Sequence, residues 1–236
     1  MSTFTSITFP FSEAVAAFNA VAPHSADKRE VTPIITGVHI TPEGSLVATD
    51  RYTVGCYKPA YESNDFFRPR LEGDDFQGAT LPPEAVKWVT AMRATKLAMG
   101  ARAESQYGVR LVFNSDAQTV KLALIRGIVW QNYDDHEDAE NSVEQQAQFD
   151  LLKGNFPPVE RLFPNDGTKF GAGSPLSLNM NLLARIGVAT KWLDARGSGC
   201  ARFQFTVTDN PNKPGPVYVT VGDRLQALVQ PNLLLR

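Results

Sequence analysis

The side chains with the most chemical potential in this 236-residue chain are three histidines, two cysteines and one acidic run. His24 falls in a polar loop and His39 in a strand-like alternation. His136 lies inside Asp134-Asp135-His136-Glu137-Asp138, with Glu140 just beyond. A metal would need these ligands to converge, and consecutive carboxylates point in different directions unless a loop folds them inward. Residues 132 to 150 therefore read as a solvated acidic loop, and neither a metal nor a cofactor is expected. Cys56 and Cys200 are far apart and show no metal-type or C-x-x-C spacing, so both read as buried structural thiols. The chain has no G-x-x-x-x-G-K-S/T phosphate loop, no G-x-G-x-x-G and no H-E-x-x-H. A triad assembled from distant residues is recognised by geometry, not by order, but nothing in the sequence points to one. The expectation is a non-enzymatic protein with no catalytic residues.

What positions the remaining side chains is a repeat. Three segments run from a short alternating strand through a turn into an amphipathic helix. They are Ile7–Pro10 into Ser12–Val21, Ala79–Pro82 into Glu84–Ala94, and Leu176–Asn179 into Asn181–Trp192. Their apolar anchors share the spacing i, i+4, i+7: Ala14, Phe18 and Val21; Ala85, Val89 and Met92; Leu182, Ile186 and Ala189. That spacing sets one stripe of a helix against a core. Strand-like stretches follow each helix: Ile34–Ile40, Ser45–Thr49 and Thr53–Tyr57; Val109–Phe113 and Val120–Ile125, extended to Trp130; then Ala201–Thr208, Val217–Val221 and Leu225–Val229. Strand, helix and several strands, three times over, predict an α+β fold with its helices on one face of antiparallel sheets. Pro, Asn, Asp and Gly cluster over residues 164–174 and mark a linker. The expected organisation is a two-unit domain over 1–164, divided near 76 and 77, and a single unit over 165–236.

Composition narrows the class further. A net charge of −2 on an ordinary apolar content excludes a disordered or nucleic-acid-coating polypeptide. The first Lys or Arg is Lys28, and no apolar run approaches a membrane span, so a cytoplasmic protein with no membrane partner is expected. The basic residues are unevenly placed. Lys87, Arg93, Lys96 and Arg102 accompany the second helix against Glu84 alone, and Arg185, Lys191 and Arg196 the third against Asp194. Basic helices on an acidic body suit a phosphate backbone. Equally, basic residues near helix C-termini complement the helix dipole with no ligand at all.

Three motifs carry a family resemblance. Ile35-Thr36-Gly37-Val38, followed by Leu46-Val47-Ala48-Thr49-Asp50-Arg51-Tyr52, resembles the L-T-G-V … L-x-A-T-D-G-H-R signature of the bacterial replicative sliding clamp, the beta subunit of DNA polymerase III. Gly154-Asn155-Phe156-Pro157-Pro158-Val159-Glu160-Arg161-Leu162-Phe163-Pro164 is similar to its G-x-F-P-D-Y-x-R-V-x-P connector. Ala227-Leu228-Val229-Gln230-Pro231 resembles its terminal Y-x-x-M-P-M-R-L. Residues 1–164 look like the family's middle domain and 174–236 like the second half of its last one. That leaves three units where the bacterial subunits have six, a compact form suited to a bacteriophage or other mobile element.

The resemblance implies a DNA-clamp fold and a processivity factor that encircles duplex DNA without reading sequence and tethers a DNA polymerase. A clamp loader is a further possible partner, and the subunit would be a homo-oligomer. It places DNA contacts on Lys87, Arg93, Lys96, Arg185, Lys191 and Arg196. It places a partner-peptide pocket at Ile35, Thr49, Tyr52 and Val54, at Pro157, Arg161 and Leu162 of the connector, and at Val229, Pro231 and Asn232. Arg51-Tyr52-Thr53 stands where the family has Gly-His-Arg, and Gln230-Pro231-Asn232 where it has Met-Pro-Met, so the peptide preference is expected to differ. The alternative is a clamp-derived interaction module that binds such partners without closing a ring.

Overall fold

All nine anchors of the three amphipathic stretches are buried, so the stripes read from spacing are the faces that pack. The computed structural model describes residues 4–59, 70–72, 76–92, 106–127, 142–171, 177–193, 200–208 and 214–232. In it α1 spans Phe11–Val21, α2 Pro83–Ala91 and α3 Met180–Leu193. Pro83 opens α2 where a missing N–H costs nothing, and Glu84 in its first turn complements the dipole.

Thirteen strands are described. They are β1 (Phe4–Pro10), β2 (Val38–Ile40), β3 (Leu46–Thr49), β4 (Thr53–Tyr57), β5 (Arg70–Glu72), β6 (Ala79–Leu81), β7 (Tyr107–Asn114), β8 (Thr119–Arg126), β9 (Ser142–Asp150), β10 (Phe170–Gly171), β11 (Arg202–Thr206), β12 (Val217–Val221) and β13 (Leu225–Val229). They form two sheets, ordered β5-β1-β7-β8-β9 and β10-β11-β12-β13-β4-β3-β2-β6. The first two units exchange their leading strands. β1 of the first pairs with β7 of the second, and β6 of the second pairs with β2 of the first, both antiparallel. The third unit joins through its last strand, β13, which lies antiparallel on β4 with Val54 opposite Leu228.

Side chains alternate across each strand. Leu46, Ala48 and Tyr57 of the first unit, Val217, Val219 and Val221 of β12, and Leu225, Ala227 and Val229 of β13 enter one core shared with all three helices. α1 packs against both α2 and α3. The helices thus lie on one side of the sheets, as the repeat predicts.

Three expectations need correction. Ile34–Ile40 is not one strand: Pro33–Thr36 forms a 3-10 turn, with Thr36 Oγ1 donating to the Pro33 carbonyl at 2.8 Å, and the strand starts after Gly37. A Cβ on Gly37 would collide with the Leu81 carbonyl oxygen of β6, which is why a glycine stands between turn and strand. The supposed acidic loop contains β9. This edge strand faces water over much of its length, so Glu144, Gln145, Gln146 and Gln148 hide the apolar alternation that betrays other strands. Cys200 is exposed and only Cys56 is buried. Residues 93–105 and 128–141, including the end of the second helical stretch, Trp130 and the run 134–140, lie outside the described residues.

Candidate peptide-binding site and helix surface

The seam between β4 and β13 is where the three motifs meet. The Tyr52 carbonyl accepts from Gln230 N–H at 2.9 Å, carrying the ladder one step past β13, and the Ser177 carbonyl accepts from Asn232 N–H at 2.8 Å. On the face away from the helices, Val47, Val54, Cys56 and Leu228 form a separate apolar cluster with Val159 of the connector. The connector runs across that outer face. Phe156 stacks on His39 with ring centroids 4.6 Å apart, and Phe163 meets Tyr218 edge-on. One segment therefore covers strands of both the first and the third unit, and burial pushes the Cys56 thiol up to about 11.

The structure sorts the expected pocket residues into three groups. Ile35, Thr49, Val54 and Pro231 are buried, Thr49 through a hydroxyl that donates to the Thr53 carbonyl at 2.8 Å. Tyr52, Arg161, Leu162 and Asn232 are exposed, Tyr52 at 65% and Leu162 at 59%. Pro157 is half-buried and lines a cavity of about 350 Å³ with His39, Pro42 and Glu160. Val229 is a correction. It faces the helix side and is fully buried in the main core, because β13 alternates and Leu228 is the residue that turns outward to Val54. Leu228 was missed although period-two alternation through Leu225, Ala227 and Val229 marks it.

Behind the same seam lies a polar cluster that sequence reading did not find. Asp50 caps the turn between β3 and β4: its Oδ1 accepts from the amides of Tyr52 at 2.9 Å and Thr53 at 2.8 Å. His24, expected in a polar loop, is fully buried instead, and neither ring nitrogen has a hydrogen-bond partner among the described residues. Its ring lies against Gly55, where a Cβ would meet it at 2.5 Å. Burial first, then the Arg185 guanidinium, hold its pKa down to about 4, with Asp50 opposing. A second tie joins the units: Arg224 Nη1 donates to Glu13 at 2.8 Å and to the Tyr57 hydroxyl at 2.9 Å.

Of the expected DNA contacts, Lys87 and Lys191 are exposed on α2 and α3. Arg93, Lys96 and Arg196 lie outside the described residues. Arg185 is corrected. Its Nη1 is committed to Asp50 and to Thr53 Oγ1, so it serves the seam between units and does not stand as a free cation.

Among solved structures, the DNA polymerase sliding clamp of Pseudomonas aeruginosa matches 97% of this chain at a TM-score of 0.56 and 12% identity. The Bacillus subtilis sliding clamp matches 96% of it at 0.53 and 12%. The DNA polymerase III subunit beta of Borrelia burgdorferi matches 97% at 0.52 and 9%. The fold is the sliding-clamp fold of these structures. The chain spans 66% of the length of the Pseudomonas protein, 64% of the Bacillus one and 63% of the Borrelia one. No protein-family model and no curated protein matches the sequence. Among the described residues, no helix is long and apolar enough to cross a membrane.

Proposed function

We propose that this chain is a sliding-clamp processivity factor without catalytic activity, assembled from several copies around duplex DNA. The observation that supports this reading best is the fold itself: strand-helix-strands units whose helices share one side and whose sheets run continuously across a unit boundary at β4 and β13. Residues 1–164 form a complete clamp-like domain in this reading and 165–236 a half-domain. Helices on the inner side present Lys87 and Lys191 to phosphates. Such contacts carry no sequence information, which is what a sliding protein needs.

The partner site of this reading is the outer face of the seam. Val159 closes the apolar floor there, Arg161 and Leu162 stand exposed in the same turn, and Tyr52 and Asn232 are exposed at the end of the β4–β13 seam, so a partner peptide would dock over the connector. A DNA polymerase is the principal partner, and a loader is needed if the ring closes before it meets DNA.

Topology tests the proposal. The protein assembled on nicked circular duplex DNA should survive a high-salt wash and leave when the circle is cut. Loss in the wash from circles and linear duplex alike would sink encirclement and favour an interaction module that binds the same partners without closing a ring.

A further inference from the structure

One apolar strip of the third unit lies open. Phe203 pairs with Val219 and Phe205 with Val217 across β11 and β12, and both valines are fully buried on the helix side of the sheet. Phe203 and Phe205 therefore face that side too. The ladder continues as Val207 N–H donates to the Lys169 carbonyl at 2.9 Å, which puts Val207 in the same row. Yet Phe203 is 43% and Val207 56% exposed. In the second unit the corresponding row on β7, Val109, Leu111 and Phe113, is no more than 2% exposed.

The contrast has a topological cause. β7 and β2 each receive the leading strand of the other unit, and the two units close one core between them. Among the described residues β11 receives only β10, two exposed residues that cover part of its edge. The first two units are each other's mates. Among the described residues, the third has none.

We propose that the third unit closes this strip against the third unit of a second copy of the chain, across a two-fold axis. Residues 1–164 show what covers the inner face of such a unit in this protein, namely another unit of the same kind. The open strip is also continuous with the core that already joins the first and third units, since Phe205 packs against it. A mate there extends an existing interface. The contact is isologous, each copy giving Phe203, Phe205 and Val207 and receiving the same three. It also covers apolar surface of a kind that soluble proteins seldom leave open.

Sedimentation of the full-length chain over the micromolar range tests the pairing. The parent should run at or above twice 25.9 kDa, and the double variant Phe203→Asp, Val207→Asp should associate at least about tenfold more weakly. Its far-UV dichroism should match the parent's, because both positions already meet water. Hydrogen exchange on the parent needs no variant: amides of 202–207 should gain protection as concentration rises. A strictly monomeric parent, a folded variant that keeps the parent's mass, or exchange at 202–207 independent of concentration would overturn the pairing. It makes no use of DNA. A chain that associates but is not retained on circular DNA would remove the processivity reading and leave this one standing.

Discussion

Arg185 Nη1 lies 2.6 Å from Asp50 Oδ2, tying α3 to the turn between β3 and β4. The same nitrogen donates to Thr53 Oγ1 at 2.9 Å, so a residue of the third unit completes a turn of the first. Asp50 belongs to the motif that resembles the clamp signature, and its work here is structural. It holds the Tyr52 loop in shape and fastens the third unit beneath it. The side chains are 25% and 12% exposed, so this pair is neither a solvated surface contact nor a fully dry one. Arg185→Ala is expected to destabilise the fold by about 2 kcal/mol, below the cost of breaking a fully buried pair because solvent screens part of it. A double-mutant cycle with Asp50→Asn, read by urea denaturation, should show clear coupling between the two sites.

His24 makes stability depend on pH. Burial and Arg185 lower its pKa from 6.5 to about 4, so the folded protein keeps the ring neutral while the unfolded chain protonates it below 6.5. Its contribution is fully present above pH 6.5 and is lost as the pH falls toward 4, for a total of roughly 3 kcal/mol. His39, lowered to about 4 by burial, acts in the same direction. His24→Leu should flatten part of the fall in urea midpoint between neutral and acid pH. An unchanged pH profile would show that the His24 ring is not held neutral in the fold.

Arg51 occupies a left-handed backbone conformation, φ 74°, at the position where the clamp signature has glycine. Its side chain compensates in part, with Nη2 at 2.7 Å from Thr32 Oγ1 and 3.1 Å from Glu30. Arg51→Gly should therefore leave stability within about 1 kcal/mol, relief of backbone strain offsetting lost contacts and added chain entropy. Arg51→Val should be worse than Arg51→Gly by about 2 kcal/mol, since a β-branched side chain suits that conformation least. Equal melting temperatures for the two variants would show that the turn relaxes.

Leu162 is exposed at the end of the connector's helical turn, whereas Val159 in the same turn is buried. Leu162→Asp should change stability by no more than about 0.5 kcal/mol. In the proposed site it should weaken a clamp-binding peptide by about 2 kcal/mol through a charge placed on an apolar contact. Peptide titration by calorimetry separates the two effects, and an unaltered affinity would move the site off the connector.

Lys87 and Lys191 are exposed on different helices. If both face phosphates, Lys87→Ala with Lys191→Ala should reduce the slope of log affinity against log salt by about 2, equally on all duplex sequences. A folded variant with the parent's slope would show that these charges only decorate the surface.

The helices and their buried stripes were legible from spacing alone, because one face of an amphipathic helix has few ways to leave water, whereas of the expected strand Leu176–Asn179 the described residues show only a single bridge, Ser177 to Asn232. Ala14, Phe18 and Val21, with their counterparts in α2 and α3, needed no partner to be identified. The seam was legible only in part. Motif residues Thr49, Tyr52 and Pro231 mark it, but which face of β13 looks out is a matter of register, and register assigned Leu228 outward and Val229 to the core. β9 escaped notice because its exposed face is polar. His24, Asp50 and Arg185 form their cluster across widely separated parts of the chain, and no local pattern encodes a contact made only when α3 lies under the β3–β4 turn. The open row on β11 follows the same logic in reverse. Phe203 and Val207 lie in a stretch, Ala201–Thr208, that reads as an ordinary strand in sequence, and only the strand order shows how little among the described residues covers them, because burial belongs to the neighbours a side chain acquires and not to the side chain itself.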